Sequence, residues 1–446
     1  MGAQELNTGY YVNPATNKFV SAGGVSYADP YLSGRAPELE LYNLGFERAI
    51  TPSMTLAINY VGNESHFIVN SGTTGGNARG YWTNELNPVY LAALGPLVGD
   101  KGAPLLDSVA DPANVAAVLK AVPGAPAPAF FTNAANASSS ATIAQMLVAF
   151  PQYSGVTDTW GDVGNFSYNS LQISLNQRMS RGLTFNVNYT YAKNIGDDGT
   201  FRDGFDIPAA AISRSTGVGF KQDRMDRSWT AISIPQTVHA FGVYQLPFGK
   251  GHIGNNSEVV NWLAGGWQLS NIYTYNSGVP MAVTWSGCSG STYPGQGQCM
   301  PDLNPSSSSA LSHNARINGS YGKGPNGFQA QYLGHISYVD VGAFTTPQNV
   351  STSSTAQYLI GNAPRTKALG LNNPGTQDLD ASLRRTFPLH WEGAEFVFEA
   401  DCLNVWNKTT FSGPSASWAA GSTSFGTIGG VSNSSRDWQF AGHINF

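Results

Sequence analysis

Four aspartates crowd one short stretch, GDDGTFRDGFD: Asp197, Asp198, Asp203 and Asp206. Carboxylates this close together could hold a hard cation such as calcium. A calcium loop, however, places its oxygen ligands at alternate positions around a fixed glycine. That spacing is missing, so the stretch reads as a solvated acidic turn, and no metal or cofactor is expected. Cys288 and Cys299 flank GCSGSTYPGQGQC. In an oxidising compartment they form a disulfide candidate, with closure of so short a loop contributing roughly 3 kcal/mol. Two unpaired loop thiols are the alternative. Cys402 sits inside an apolar run and reads as a small packing residue. The seven histidines are scattered. No GxSxG, HExxH or phosphate-binding loop is present, so the sequence does not point to an enzyme.

The elements that carry these residues have one dominant signal, period-two alternation. In LTFNVNYTY, Leu183, Phe185, Val187, Tyr189 and Tyr191 share one face, and Thr184, Asn186, Asn188 and Thr190 the other. Leu171, Ile173 and Leu175 alternate in the same way before the turn RMSRG. Tyr42, Leu44 and Phe46 lead into ITPS, and Met54, Leu56, Ile58 and Tyr60 lead out. Phe241 and Val243 stand as apolar positions ahead of LPFGKG. Trp267, Leu269, Tyr273 and Tyr275 open a strand that is extended through VPMAVTW. Leu379, Ala381 and Leu383 run toward FPLHWEG, and Phe396, Phe398, Ala400 and Cys402 run away from it. The last strand is RDWQFAGHINF, with Trp438, Phe440, Ile444 and Phe446 on one parity.

These runs amount to about nine strands, and a further one at Ile336–Val341 would make the number even, as single-chain bacterial barrels require. Short links alternate with long ones over roughly 62–165, 195–235, 286–376 and 408–435. Loops of that length are uncommon in compact soluble domains. Short turns alternating with long loops mark a barrel whose turns face the periplasm and whose loops face outward. DPANVAAVLKAV (111–122) reads as a short helix in the longest loop. Charged residues are only 11% and aromatics 12%. The polar face of each strand is neutral, unlike the Lys- and Glu-rich outer face of a soluble sandwich. A net charge of −5 gives no basic patch for nucleic acid. No 18-residue apolar run exists, which leaves strands as the only way to span a membrane.

The expectation is an all-β fold, the C-terminal part of an antiparallel transmembrane β-barrel of about 9–12 long strands. Residues 1–37 are loop-like and 38–446 form the barrel portion. Tyr189, Tyr191, Trp267, Trp391 and Trp406 are placed for interfacial girdles in contact with outer-membrane lipid. No basic n-region with an apolar core opens the sequence, so the start of a longer barrel protein is expected upstream.

Several stretches, in order, resemble the C-terminal barrel half of TonB-dependent outer-membrane receptors of the Oar-like group. They are LYNLGFERAITPSMTLAINYVGNESHF, NELNPVYLAALG, LVAFPQYSGV, SYNSLQISLNQRMSRGLTFNVNYTYAKNIGD, VYQLPFGKG with LAGGWQLSNIYTYNSGVPMAV, DLDASLRRTFPL and FVFEADCLNVWNKTTF. The resemblance covers roughly residues 38–446. It departs in IPQTVHAF, which keeps only His239 of the group's Asp–x–x–His pair, and in the longer acidic turn 196–206. The resemblance implies energised uptake of an extracellular ligand through a plugged barrel. The plug and the TonB-contacting segment would lie upstream. It also implies that Trp438, Phe440, Ile444 and Phe446 form the C-terminal signal read by the barrel assembly machinery. A structural or adhesive barrel without transport is the alternative.

Overall fold

The structure is a computed structural model. It describes residues 35–68, 111–121, 164–196, 227–249, 258–286, 300–316, 336–346, 366–389 and 393–446, with short pieces at 11–13, 18–20, 25–27 and 156–158 and a few isolated positions. Nine long strands make one sheet. They are β1 (Glu38–Thr51), β2 (Met54–Ile68), β3 (Gly164–Ser180), β4 (Leu183–Gly196) and β5 (Gln236–Gln245), then β6 (Trp267–Asn276), β7 (Thr376–Pro388), β8 (Glu395–Leu403) and β9 (Asp437–Asn445). Each pairs antiparallel with its sequence neighbours. Among the described residues β1 and β9 are each paired on one side only. A strand of about nine residues is enough to cross a tilted hydrocarbon layer, and the shortest here have nine.

The turns are local chemistry. Arg181 and Gly182 both have positive φ, the primed hairpin geometry whose twist matches the flanking strands. The β5–β6 link carries a short helix, Glu258–Ala264. Arg385 donates to its last carbonyls, at 2.9 Å to Leu263 O, and Trp267 Nε1–H donates to the same oxygen at 2.9 Å. In the longest loop the helix Pro112–Ala121 forms where alanine-rich sequence favours it. Asp111 caps it by accepting from the Ala113 N–H, with Pro112 at the first turn.

Register shows which residues share a face. Phe46, Ile58, Ile173 and Tyr189 lie in one row across four strands, and Leu44, Tyr60, Leu171 and Tyr191 in the next. Tyr273, Leu379 and Ala381, then Ala400 and Phe440, continue the apolar face to β9. Gly442 lies on this face, and a Cβ there would come within 3.0 Å of the Phe396 ring. The other face is amide and hydroxyl. Asn186 donates to Asn176, and Asn188 donates to Asn186.

Four readings change. Phe241 and Val243 fall on the polar face, opposite Asn186 and Thr184, while Val238, Ala240 and Tyr244 take the apolar one. Strand β6 stops at Asn276 because the chain crosses closely over its partner at Gly278, where a Cβ would sit 1.5 Å from Asn373 O. Beyond it, the pairing toward the segment before β7 continues only as isolated bridges (Pro280 with Asn372, Ala282 with Thr366). Within Ile336–Val341, only Ile336–Ser337 is strand, and it pairs with Thr427–Ile428 in another loop. It is no barrel strand. The neutral polar face also gains charge near its C-terminal end, where Asp378, Asp380, Arg384, Glu399 and Asp401 share it.

Among the described residues the buried hydrophobic core lies outside the sheet. Met281, Val283, Trp285, Met300, Tyr338, Phe344, Leu371, Trp418, Phe425 and Ile428 form one buried core from the two long loops that follow β6 and β8. Thr284–Trp285 pairs with Ser417–Trp418, so the two loops are hydrogen-bonded as well as packed. Phe425 is 0% exposed and meets Phe344 edge-on at 5.7 Å. Phe425→Ala is expected to cost the loop module about 3–5 kcal/mol. Limited proteolysis should then cut within 404–436 while the heat-modifiable gel shift of the sheet persists. Loss of that shift would contradict a separate loop core.

Candidate functional site

The aromatic residues on the apolar face collect at its two ends. At the turn end, Trp267 meets Phe387 and Phe398 edge-on at 6.4 and 6.1 Å, and Trp391 stands exposed on the β7–β8 turn. Arg385 lies across this group, 4.2 Å from the Phe387 ring centroid. At the loop end, Tyr273 packs on Trp406 at 5.6 Å, and Tyr191 is exposed on β4, with Tyr189 one position further in on the same face. Trp438 stacks on Phe440 at 6.1 Å, with Ile444 continuing the row opposite Phe396. Phe446 follows, fully exposed. Amphipathic rings at both ends of an apolar band match the two interfaces of a bilayer.

Above the loop end, three segments meet. Trp229 pairs with β4 through Ile195. Its ring lies 3.4 Å from Lys367 Nζ and 5.3 Å from Lys193 Nζ, and Thr366 Oγ1 donates to its carbonyl. Burial, and then the nearby Lys193 charge, push the Lys367 ammonium below the ordinary lysine value.

The loop after β8 is fastened by two asparagines. Asn404 Nδ2 donates to Lys408 O and Ser434 O, both at 3.1 Å, and its Oδ1 accepts from Lys408 N at 2.8 Å. Asn433 Nδ2 donates to the same Lys408 carbonyl at 2.8 Å. Asp380 on β7 accepts from Asn404 N at 2.9 Å, tying loop to strand. These bonds fix the backbone of Lys408, which forms one wall of a cavity of about 370 Å³ between the two long loops.

The aromatic positions named from the sequence lie on single strands and turns, whose residues alternation displays one by one. It missed Trp229, Lys367, Arg316, Tyr338 and Lys408, which come from separate loops with no local periodicity. Cys402 is a buried free thiol in β8. Cys288, Cys299 and the aspartates Asp197, Asp198, Asp203 and Asp206 lie outside the described residues. His239 is on the polar face of β5, opposite Asn188 and Thr274. Among the described residues no group of three or more potential metal ligands is found.

An antiparallel meander with one apolar face, aromatic belts, short turns at one end and long loops at the other defines a transmembrane β-barrel of the bacterial outer membrane. The chain matches the outer membrane beta barrel domain over residues 3–439 and belongs to that family. No curated protein matches it. Similar solved structures include the outer membrane transporter YddB from Escherichia coli, at 12% identity and TM-score 0.37, covering 96% of this chain and 35% of that one. The ferripyoverdine receptor of Pseudomonas aeruginosa, bound to ferripyoverdine, is 7% identical with TM-score 0.33, covering 91% and 27%. The FrpB iron transporter from Neisseria meningitidis is 10% identical with TM-score 0.30, covering 94% and 32%. This chain spans 27–35% of the length of these proteins.

The Lys367 geometry has a pH signature. A lysine whose folded value is lowered binds fewer protons folded than unfolded, so its contribution to stability rises with pH through the window below the ordinary value of about 10.4. Amine acylation read by mass spectrometry should reach half-maximal rate at Lys367 below that ordinary value. Half-maximal rate at or above it would contradict the arrangement.

Proposed function

We propose that the chain is the barrel portion of a TonB-dependent receptor or transporter of the Oar-like group. Its long outer loops capture an extracellular ligand, and energy from the TonB system, acting on an upstream plug, drives uptake. The observation that carries this reading is the loop core. Two loops bury Met281, Trp285, Phe344, Trp418 and Phe425 together in one packed core beyond one end of the sheet. A barrel that only anchors itself gains nothing from the cost of ordering so long a segment, whereas a receptor needs preformed walls. The ordered series of motifs points to the same group. Residues 38–446 form the barrel portion in this reading, with 1–37 leading into it. Cys288 and Cys299 pair on the oxidising outer side.

The test is formaldehyde cross-linking in cells that make the full-length protein. An adduct with TonB is expected, and it should disappear when the upstream plug segment is deleted. No adduct would favour a structural or adhesive barrel.

Trp438, Phe440, Ile444 and Phe446 serve as the signal read by the assembly machinery in this proposal. Trp438, Phe440 and Ile444 alternate on the apolar face of the last strand, and Phe446 follows it, exposed. Deleting Phe446, or adding a charged tail after it, is expected to lower the amount of folded protein in the outer membrane several-fold. Unchanged levels of heat-modifiable protein would refute the role.

A further inference from the structure

The helix in the β5–β6 link is inverted. On a globular protein the apolar stripe of a helix faces the core. In Glu258–Ala264 that stripe is Val259, Trp262 and Leu263, spaced i, i+3 and i+4. These three residues are 65, 68 and 58% exposed. Asn261 and Ala264, on the opposite arc, are the half-buried ones. An exposed apolar patch of this kind marks a surface that meets a partner or a membrane.

The fastening of the helix shows which of these it meets. Its C-terminal carbonyls turn toward two residues of the apolar face. Leu263 O accepts from Trp267 Nε1–H and from Arg385 Nη1, both at 2.9 Å, and Asn261 O lies 3.5 Å from Arg385 Nη2. Trp267 and Arg385 are paired across β6 and β7, and Phe398 completes their row on β8. The next row toward the membrane centre is Leu269, Leu383 and Ala400. The next row toward the turn is the Phe387–Phe396 pair. The helix therefore ends on the lipid-facing side of the sheet, with an aromatic row between that contact and the turn. Helix-end carbonyls that face water are satisfied by solvent, but near hydrocarbon they need donors from the protein. Trp267 and the buried Arg385 supply them here.

The patch also continues the turn-end girdle. Trp267, Phe387 and Phe398 form that girdle on the strands, and Trp391 stands exposed on the neighbouring turn. A tryptophan beside aliphatic residues on a helix held at girdle level has the make-up of an element lying in a bilayer interface. A soluble periplasmic partner would dock on a helix beyond the girdle, not on one tied to a row on its membrane side.

We propose that the helix Glu258–Ala264 is an interfacial anchor. Val259, Trp262 and Leu263 insert among the acyl chains of the inner-leaflet phospholipid and fix the depth of the β5–β6 end of the sheet. The anchor rests on the membrane position of the fold and not on transport, so it stands or falls apart from the TonB reading.

The test uses the full-length protein with its own cysteines replaced by serine, reconstituted into vesicles of phosphatidylethanolamine and phosphatidylglycerol. One spin label at a time is carried by Glu258→Cys, Val259→Cys, Trp262→Cys or Leu263→Cys. A label at Val187→Cys on β4 is the hydrocarbon reference. Heat modifiability confirms that each variant is folded. Collisions with oxygen and with a water-soluble nickel chelate are then compared. Labels at 259, 262 and 263 are expected to show an oxygen-to-chelate ratio at least about fivefold above that at 258. Two results would overturn the anchor while the label at 187 still favours oxygen. Equal ratios at all four helix positions would place the helix in water. Shielding of 259, 262 and 263 from both reagents would place it against a second copy of the chain or another protein. Chelate preference at 187 as well would overturn the membrane fold and the anchor with it.

Discussion

Inside hydrocarbon no water is available to hydrogen-bond a backbone N–H or C=O, and each unpaired group costs several kcal/mol. Most of what is seen in this chain follows from that constraint. Strands must pair with strands, so nine of them run as an uninterrupted antiparallel meander. Their outward side chains must be apolar, so one parity carries Leu, Ile, Tyr and Phe while the other carries Asn, Gln, Ser and Thr. The same constraint acts on the edges. Strands β1 and β9 present unpaired ladders among the described residues, and completing the barrel requires both to be paired. An apolar face that meets lipid needs no tight interior, and the buried cluster seen among the described residues lies in the loops and not in the sheet.

Outside the membrane the rules revert to those of a globular protein. The loops after β6 and β8 bury aromatic and aliphatic side chains against one another, and short two-residue strands fasten them. Asn404 and Asn433 do by side-chain hydrogen bonding what a long ladder does in the sheet. The polar walls of the loop cavity and the Trp229–lysine cluster both sit where this loop body meets the strand ends. Charged and polar side chains concentrate at that seam because the strands supply footing and the loops supply side chains freed from strict alternation.

The sheet was legible in the sequence because each strand declares itself through its own alternation. All nine long strands and all four short links were readable from residues such as Leu183 to Tyr191. Parity failed at β5, where Phe241 and Val243 are as apolar as Val238 and Ala240. A short run of that kind has no face of its own, and the neighbouring strands decide its register. The reading of β6 ran too far because Val279 to Trp285 stays apolar beyond the membrane. Those residues are apolar to fill the loop core, and apolarity alone does not distinguish the two destinations. The seam residues were not legible at all. Arg316, Tyr338, Asn372 and Lys408 are far apart in sequence and come together only through the packing of two loops. The charge on the polar face of β7 and β8 was present in DLDASLRR but masked by the neutral strands around it.

The central claim is that odd and even residues of one strand meet different solvents. Single cysteines placed from 184 to 191 on β4, in a chain whose own cysteines are replaced by serine, can be spin-labelled after reconstitution into lipid. Collision with oxygen, which partitions into hydrocarbon, and with a water-soluble nickel chelate then reports the environment of each site. The account predicts strict alternation, with 185, 187, 189 and 191 favouring oxygen and 184, 186, 188 and 190 favouring the chelate. Equal exposure of both parities to the chelate would contradict it and would return the chain to the soluble β proteins.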